Sequence, residues 1–475
     1  MQFDSLTFLA FFAAVLGCFA LLPTWRAQKQ LLLWASYLFY AAWNPPFVLL
    51  LIASSSFDWW LAQKLPGIGN RARRRLLLGF ILGTHLLVLS YFKYSAFALE
   101  NLAALLALGG VAYQPPPMNI VLPVGISFYT FHSLSYCFDV YRGRITPTRS
   151  WLDYSLYVAF FPQLVAGPIV RWTQMAAQIE SPRRLSAEGL GLGLALLCLG
   201  LFEKVVLADS VFAPVASAVF DADAAVSTRD AWLGMLAFSG QIFCDFAGYS
   251  TCALGAALAL GFVLPVNFRN PYAAIGFSDF WRRWHISLSS WLRDYLYISL
   301  GGNRVSIPRR QANLMTTMLV GGLWHGAAWN FVAWGGLHGA YLVLEHWLRE
   351  RLGLGRDPAQ YPLWLKLVYG ALTLLGVMYA WIWFRSRSFA QGWELTLALG
   401  GGGAASPSLV AGFETLLVLL SFGLLLAVHA RWREIDARDW LARLPTVPLA
   451  LLLAFMLTLI LLSPGDGQAF IYFQF

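Results

Sequence analysis

The segment LKLVYGALTLLGVMYAWIWF, residues Leu365–Phe384, contains a single charged side chain in twenty residues. A helix of that length spans about 30 Å, which is the thickness of the hydrocarbon core of a bilayer. Similar apolar blocks recur along the chain, for example at Leu190–Leu207 and Leu409–His429. Because an α-helix satisfies its own backbone hydrogen bonds in lipid, these blocks predict a polytopic α-helical membrane protein.

The composition of the chain supports this class. Its 475 residues are 59% hydrophobic and 12% charged, whereas soluble domains carry about 25% charged residues. The composition excludes a soluble enzyme and also a disordered chain, which needs low hydrophobicity and high charge. We expect an all-α polytopic fold with roughly 10–12 transmembrane helices, together with re-entrant or interfacial helices.

The charge balance points to the membrane as well. Lysine and arginine outnumber the acidic residues 33 to 24, which gives a net charge of +9. The basic residues lie in short loops between apolar blocks, as in the cytoplasmic loops of membrane proteins. They form no stripe that would bind nucleic acid, so we expect the lipid bilayer as a partner and no nucleic acid. The five cysteines show no C-x-x-C spacing and the seven histidines are dispersed, so we expect no metal site.

The densest group of charges is FSDFWRRWHISLSSWLRDYLYISL, residues Phe277–Leu300. Read as one helix, this segment has a polar stripe of Arg282, His285, Ser289 and Arg293 and an aromatic stripe of Trp284, Leu288, Trp291 and Tyr295. Asp279 precedes Arg282 by three residues and Arg283 by four, spacings that allow an ion pair. The segment is either a helix that presents cations to an anionic ligand and a histidine to its reacting end, or an interfacial helix with solvated charges.

A histidine interrupts an otherwise apolar segment at GGLWHGAAWN, residues Gly321–Asn330. Gly322 and Gly326 form a G-x-x-x-G pair, which lets another backbone approach closely. We therefore expect this segment inside the helix bundle, as part of a continuous span over Met315–Phe331. An ionisable residue at that depth is a functional candidate, which points to His325. The alternative is a neutral histidine that is bonded to a neighbour.

Two further segments place polar groups at membrane depth. Asp245 lies in the apolar run QIFCDFAGYS, where a carboxylate needs a cation partner, and the arginines of residues 277–300 are the candidates. The run FFPQLVAGPIVRW, residues Phe160–Trp172, contains the dipeptide Gly167-Pro168. It predicts either a re-entrant element that lines a cavity or a kinked span.

Taken together, these segments resemble the membrane-bound O-acyltransferase (MBOAT) family, and in particular its bacterial polysaccharide branch. The resemblance runs along the chain to the C-terminal FIYFQF and is weakest over residues 385–443. It is most specific in LPVGISFYTFHSLSYCFDVYRG (122–143), FPQLVAGPIVR (161–171), NPYAAIGFSDFWRRWHISLSSWLRDYLYISLGGNR (270–304) and GGLWHGAAWNFVAWGGLHG (321–339).

The resemblance implies an enzyme that transfers an acyl group from a thioester to a hydroxyl, with donor and acceptor meeting in a central tunnel. His325, in the LWHGA stretch, matches the family's catalytic residue, and His285, in WRRWHIS, matches its second essential position. We expect His325 to accept the hydroxyl proton, and His285 to orient the acceptor or to stabilise the oxyanion. Substrate binding is expected from Arg282, Arg283, Arg293, Asn330, Trp324 and Asp245, with the arginines on donor phosphates.

The same branch implies cytoplasmic acetyl-CoA as the donor, no bound cofactor, and O-acetylation of an exported polysaccharide of the alginate or cellulose type. It also implies the bacterial inner membrane as the location and a periplasmic acetyltransferase as partner protein. D-alanyl transfer to teichoic acid and peptidoglycan O-acetylation are the alternatives within the family. A transporter of a small solute or a lipid-linked sugar is the non-enzyme alternative, although transporters more often show paired broken helices in corresponding halves.

The domain organisation expected from this resemblance is simple. We expect one integral-membrane acyltransferase domain over residues 1–475. Within it, residues 1–113 form N-terminal helices, residues 118–348 the catalytic core and residues 364–475 the C-terminal helices.

Overall fold

The computed structural model describes residues 1–355, 357–404, 407–463 and 470–471. Of the C-terminal FIYFQF motif, Phe470 and Ile471 are described, and the other four residues lie outside the described part of the chain. Within these ranges the regular secondary structure is helical and includes no strand. The all-α prediction is therefore confirmed.

The α-helices are numbered in chain order. The helices of the first 180 residues are α1 (Leu6–Leu21), α2 (Trp25–Ala41), α3 (Pro46–Lys64), α4 (Arg71–Leu89), α5 (Ser95–Leu108), α6 (Ile126–Tyr141), α7 (Trp151–Ala159), α8 (Phe161–Leu164) and α9 (Trp172–Glu180). They are followed by α10 (Ala187–Leu201), α11 (Ala213–Phe220), α12 (Thr228–Ala259), α13 (Phe277–Phe280), α14 (Ile286–Trp291), α15 (Ile307–His325), α16 (Trp329–Leu352), α17 (Leu363–Arg385), α18 (Phe389–Leu397), α19 (Gly412–Arg431), α20 (Ala437–Ala442) and α21 (Thr446–Leu462). Segments of π-helix occupy Ser90–Tyr94, Phe202–Phe212, Leu292–Tyr297 and Ala398–Gly402, and 3₁₀ turns occupy Pro271–Ala273 and Pro358–Gln360.

Several of these helices can cross a membrane. By length and composition, the described residues contain five such segments, at Arg71–Leu108, Ala187–Phe220, Thr228–Ala259, Leu363–Arg385 and Gly412–Arg431. Helices α1 and α21 are apolar but shorter. The number is below the expected 10–12 because other predicted spans fall in helices that are shorter or more polar. For example, α2 has 17 residues and α15 carries Arg309 and Arg310 in its first turn.

The outer faces of the long helices are apolar. On α19, Leu416, Leu420 and Leu424 follow one another at a spacing of one turn and are 54%, 64% and 66% exposed. Leu76 and Leu87 are likewise exposed on α4. A soluble monomer rarely exposes contiguous apolar surface of this kind. These leucines are therefore the lipid-facing surface of a membrane protein.

The chain forms two compact units. The N-terminal unit comprises Met1–Leu190 and Ala256–Leu264, and the C-terminal unit comprises Gly191–Gly255 and Pro265–Phe475. All the site residues predicted from the sequence belong to the C-terminal unit. The division into N-terminal helices, catalytic core and C-terminal helices stays a prediction.

In the N-terminal unit, the Gly-Pro run Phe160–Trp172 is not a straight span. Helix α7 ends before it, α8 is a single turn, and the residues from 165 to 171 are irregular. This backbone is buried and hydrogen-bonded to side chains, because the Tyr157 hydroxyl donates to the Val170 carbonyl at 3.0 Å. The Gln163 amide donates in turn to the Tyr157 carbonyl at 2.6 Å. The predicted break in the helix is confirmed.

In the C-terminal unit, α15 and α16 pack antiparallel through glycine. A Cβ atom on Gly322 would lie 2.3 Å from the carbonyl oxygen of Phe331, and one on Gly335 would lie 2.5 Å from the carbonyl oxygen of Met318. Real Cβ atoms do not approach so closely, so the two backbones touch only because the side chains are absent. The close approach predicted at Gly322 is confirmed.

Replacing Gly322 by alanine is expected to push α15 away from α16. The added methyl group meets a backbone carbonyl that cannot rotate aside, and overpacking of this kind costs about 1–3 kcal/mol. We expect a lower melting temperature in detergent. Gly321→Ala is the matched control, because its Cβ would lie 3.3 Å from the flexible Leu292 side chain. Equal melting temperatures for the two variants would contradict this packing.

Candidate active site

His325 is the last residue of α15 and is 5% exposed. Among the described residues, its imidazole ring packs edge-on against three aromatic rings. The ring centroids lie 4.9 Å away for Trp324, 5.0 Å for Trp334 and 5.3 Å for Phe384. The catalytic candidate therefore lies in an aromatic enclosure that restricts access of water.

The predicted continuous span Met315–Phe331 is wrong at His325. Helix α15 ends there, Gly326 has an extended backbone (φ −158°, ψ 150°), and α16 begins at Trp329. A Cβ on Gly326 would lie 2.0 Å from the Phe331 ring, so the turn needs a residue without a side chain. His325 is thereby placed at a helix C-terminus, whose partial negative charge stabilises an imidazolium.

The segment Phe277–Leu300 is not one helix, which corrects the prediction of a continuous polar stripe. Helix α13 ends at Phe280 and α14 begins at Ile286. Between them, His285 adopts a left-handed backbone conformation (φ 42°, ψ 54°), which is uncommon for residues other than glycine. His285 is also completely buried. The residues of the predicted aromatic stripe are all buried, namely Trp284, Leu288, Trp291 and Tyr295.

Asn267 holds His285 in this conformation. Its backbone carbonyl accepts from the N–H of Ile286 at 2.9 Å. Its side-chain Oδ1 accepts from the backbone N–H of Ser287 at 3.3 Å and from the Ser287 hydroxyl at 2.9 Å. His285 Nδ1 lies 3.0 Å from the same oxygen, and Asn267 Nδ2 donates to the Ser250 hydroxyl at 3.1 Å. One buried asparagine thus fixes both the backbone and the ring of His285.

These contacts also determine the tautomer of His285. A backbone N–H can only donate, so the Asn267 atom that the Ser287 N–H reaches is the oxygen and not the amide nitrogen. His285 Nδ1 therefore carries the proton that is donated to this oxygen, and in the neutral ring Nε2 carries the lone pair. Burial lowers the pKa of His285 to about 3. At physiological pH the ring is neutral and Nε2 is a hydrogen-bond acceptor.

Trp324 brings the two histidines into one group. Its ring centroid lies 4.9 Å from that of His325 and 6.1 Å from that of His285. On another side, His285 packs edge-on against Phe246 of α12 at 4.7 Å. We refer to His285, Trp324 and His325 as the histidine site.

Asn330, another predicted substrate contact, borders the enclosure of His325. It is buried, and its Nδ2 donates to the carbonyl of Ser386 at 2.7 Å. Ser386 directly follows α17, the helix that contributes Phe384 to the enclosure. Asn330 therefore ties the start of α16 to the end of α17, and its contact with substrate stays a prediction.

The structure separates the three predicted arginines. Arg283 is buried, and its Nε donates to Asp279 at 3.0 Å, which confirms the predicted ion pair. Its Nη2 donates to Glu434 at 2.8 Å and its Nη1 to the carbonyl of Arg433 at 2.6 Å. A guanidinium with these partners fixes the turn that precedes His285 to the chain after α19.

Arg282 and Arg293 are exposed instead. Arg293 donates from Nε to its neighbour Asp294 at 2.7 Å, and 62% of its side chain is exposed. This pair raises the pKa of Arg293 above its usual value, chiefly through the hydrogen bond to Asp294. Arg282 and Arg293 are thus the two predicted cations that lie on the protein surface.

Within the described ranges, the cation partner of Asp245 is Lys204, which corrects the expectation of an arginine from residues 277–300. Lys204 Nζ lies 2.6 Å from Asp245 Oδ1 and 2.8 Å from Asp209 Oδ1. The other oxygen of Asp245 accepts from the backbone N–H of Ile471 at 2.7 Å. These contacts join α12 to the π-helical segment Phe202–Phe212 and to the C-terminal FIYFQF motif. A substrate contact of Asp245 stays a prediction.

Sequence reasoning missed two residues of this region. Lys204 lies in the apolar block Leu190–Leu207, and a charge at that depth is the same signal that selected Asp245. Asn267 lies 18 residues before His285. It is in a loop, where asparagine is common and gives no sequence signal of a functional role. The part of the chain that the structure describes contains no group of three or more His, Cys, Asp or Glu side chains that could hold a metal.

Comparison with known proteins identifies relatives along most of the chain. Residues 144–364, which include both histidines, match the family model described as MBOAT, membrane-bound O-acyltransferase family. A probable alginate O-acetylase AlgI of Azotobacter vinelandii is 42% identical over 84% of this chain and 78% of its own length. A peptidoglycan O-acetyltransferase of Helicobacter pylori is 34% identical over 78% of this chain and 74% of its own length. A teichoic acid D-alanyltransferase of Streptococcus thermophilus is 28% identical over 65% of this chain and 81% of its own length.

Proposed function

Because the chain belongs to the membrane-bound O-acyltransferase family and is an O-acyltransferase, we propose that it acetylates an exported polysaccharide. The proposed donor is cytoplasmic acetyl-CoA, and the proposed location is the bacterial inner membrane. The alginate O-acetylase relative supports a polysaccharide acceptor. The histidine site carries the proposal, because acyl transfer to a hydroxyl needs a base in a place that excludes water. A periplasmic acetyltransferase is the proposed partner that completes transfer to the polymer.

In the proposed reaction, the acceptor oxygen attacks the thioester carbonyl carbon while His325 takes the hydroxyl proton. The C–S bond then breaks, and the proton passes from His325 to the leaving sulfur, which departs as the thiol. The C-terminus of α15 stabilises the imidazolium that exists between these two steps. The three aromatic rings around His325 limit hydrolysis of the thioester by water.

His285 has a different proposed role. Its Nδ1–H is donated to Asn267, so the neutral ring can accept a hydrogen bond at Nε2 from a substrate O–H or N–H group. This favours orientation of a substrate over stabilisation of the oxyanion. An oxyanion needs a donor at Nε2, hence a protonated ring, and burial opposes that protonation.

Arg282 and Arg293 are the proposed contacts for the donor phosphates. We expect Arg282→Gln and Arg293→Gln each to raise the KM for acetyl-CoA about fivefold with little change in kcat, since an exposed ion pair contributes up to about 1 kcal/mol. Arg283→Lys keeps the charge but loses the forked hydrogen bonds. For that variant we expect a lower melting temperature and an unchanged KM. A raised KM in Arg283→Lys alone would reverse this assignment.

The proposed donor is tested with the wild-type protein. Purified protein in detergent is incubated with radiolabelled acetyl-CoA, with and without a membrane extract that supplies the acceptor, and free CoA is measured. We expect release of CoA that increases with the extract. No release from folded protein would exclude acetyl-CoA as donor and favour a thioester on a carrier protein. No cleavage of either thioester would favour the transporter.

The second candidate is O-acetylation of peptidoglycan, which is favoured by the identity to the Helicobacter pylori enzyme. The two candidates differ in where the label goes. Transfer of labelled acetyl groups to uronic-acid polysaccharide supports the first proposal. Label in muropeptides after digestion of the cell wall supports the second.

A further inference from the structure

The N-terminal unit contains its own pair of buried ionisable residues. His85 Nε2, from α4, lies 3.0 Å from Oδ1 and 2.9 Å from Oδ2 of Asp58, from α3. Asp58 is completely buried and His85 is 6% exposed. Ionisable groups inside apolar helices are costly to bury, so such a pair is a functional candidate. The residues of the histidine site all belong to the C-terminal unit, so this pair is not among them.

The pair lines a cavity of about 280 Å³. At about 30 Å³ per water molecule, this volume equals roughly nine waters, enough for a ligand of about ten heavy atoms. Part of the wall is apolar and part carries hydroxyl groups. The apolar part includes Leu50, Phe57 and Val88, and the hydroxyl part includes Ser54, Thr84 and Thr130. The cavity therefore suits a molecule with an apolar body and a polar end.

His85 offers one ring nitrogen to such a polar end. Its Nε2 is engaged by the Asp58 carboxylate, which orients the ring as a carboxylate orients a catalytic imidazole. In the part of the chain that the structure describes, its Nδ1 makes no hydrogen bond. A neutral ring presents a lone pair at Nδ1 and a protonated ring presents an N–H. An alcohol hydroxyl can bond to His85 in either state. It donates to the Nδ1 lone pair of the neutral ring and accepts from the Nδ1–H of the protonated ring.

We propose that this cavity binds a small membrane-soluble alcohol, with its hydroxyl group on His85 Nδ1 and its apolar body against Leu50, Phe57 and Val88. The entrance is marked by Ala53, which lines the cavity and is itself exposed on α3. Helix α4 belongs to the candidate membrane span Arg71–Leu108. The ligand therefore reaches the cavity from the bilayer, and its binding does not depend on the identity of the acyl donor or acceptor.

The probe is an octanol that carries a photoactivatable diazirine on its third carbon. The full-length protein in detergent is irradiated with the probe, and labelled peptides are identified by mass spectrometry. We expect labels in the peptides of α3, α4 and α6 that line the cavity. Excess 1-octanol should reduce this labelling at least fivefold, whereas excess octane should leave it unchanged.

Three variants refine the test. His85→Leu removes the hydrogen-bonding nitrogen, and Ala53→Trp narrows the entrance without touching the ion pair. We expect each to reduce the specific labelling at least fivefold. His346→Leu, which replaces a half-buried histidine of α16, is the control and should keep it. Melting temperatures report folding, and Ala53→Trp keeps the test decisive if His85→Leu does not fold.

The proposal is overturned by any of three results. Labels spread evenly over the lipid-facing helices would show that the probe only dissolves in the micelle. Equal competition by octane would show an apolar cavity that does not recognise a hydroxyl group. Undiminished labelling in folded His85→Leu and Ala53→Trp would place the bound probe elsewhere.

Discussion

Replacing His325 by alanine is expected to lower acyl transfer about a thousandfold, within the range of 10²–10⁴ that a general base contributes. The loss should appear in kcat, because the ring acts on the proton that moves in the transition state. His325→Gln should be equally inactive, since an amide keeps polarity and size but does not take up a proton at neutral pH. The measurement is transfer of labelled acetyl groups from acetyl-CoA to acceptor.

The control for His325→Ala is His346→Ala, in which a half-buried histidine of the neighbouring helix α16 is removed. It should keep wild-type kcat. Melting temperatures of both variants separate loss of chemistry from loss of fold. If folded His325→Ala kept a tenth of the wild-type rate, the base would have to lie elsewhere, and His285 Nε2 would be the next candidate.

Replacing Asn267 by leucine is expected to lower kcat about ten- to hundredfold, by analogy with the loss of a partner that orients a metal-bound histidine. Leucine cannot accept the Nδ1–H of His285, so the ring loses both its fixed tautomer and its orientation. Ser287→Ala is the matched control. It removes one donor to the Asn267 oxygen and leaves the contact between Asn267 and His285 in place, so its kcat should stay close to wild type.

Asn267→Asp gives a readout that a purely structural role would not change. The aspartate still accepts from Nδ1, but its charge favours the imidazolium and raises the pKa of His285 from about 3 towards neutrality. A protonated ring cannot accept at Nε2. As the pH is lowered, activity should therefore fall at a higher pH in Asn267→Asp than in the wild type, in which His285 stays neutral. If the acidic limb of the pH profile did not move in Asn267→Asp, protonation of His285 would not control activity.

The prediction of the fold class came from local composition. Apolar blocks such as Leu365–Phe384 must lie in a membrane, because the cost of their exposure to water depends on the residues themselves and not on their neighbours. The same reasoning located Asp245 and His325 as ionisable groups in apolar surroundings. The close approach at Gly322 was also predictable, since a residue without a side chain leaves room for a second backbone wherever that backbone lies.

The predicted helical stripe through Phe277–Leu300 is wrong because a periodic pattern assumes an uninterrupted helix. The interruption at His285 comes from Asn267, whose hydrogen bonds to residues 285–287 are stronger constraints than the helical periodicity of that stretch. Likewise, the segment around His325 is apolar throughout, and the end of α15 is set by the fit of Gly326 against the Phe331 ring.

A helical membrane protein with His325 and Asp245 as ionisable groups in apolar surroundings is predictable from residue order, because burial of apolar blocks and the cost of buried charge are properties of short segments. The acyltransferase activity and the site role of His285 follow instead from the resemblance of longer motifs to the family. The tautomer of His285, the partner of Asp245, the difference between Arg283 and the exposed Arg282, and the pairing of Asp58 with His85 can be seen only in the folded chain. Each of these depends on hydrogen bonds between residues that are distant in the chain or on which of two neighbours is buried. Such contacts act over a short distance in space and produce no periodic pattern in the sequence, so they cannot be predicted from it.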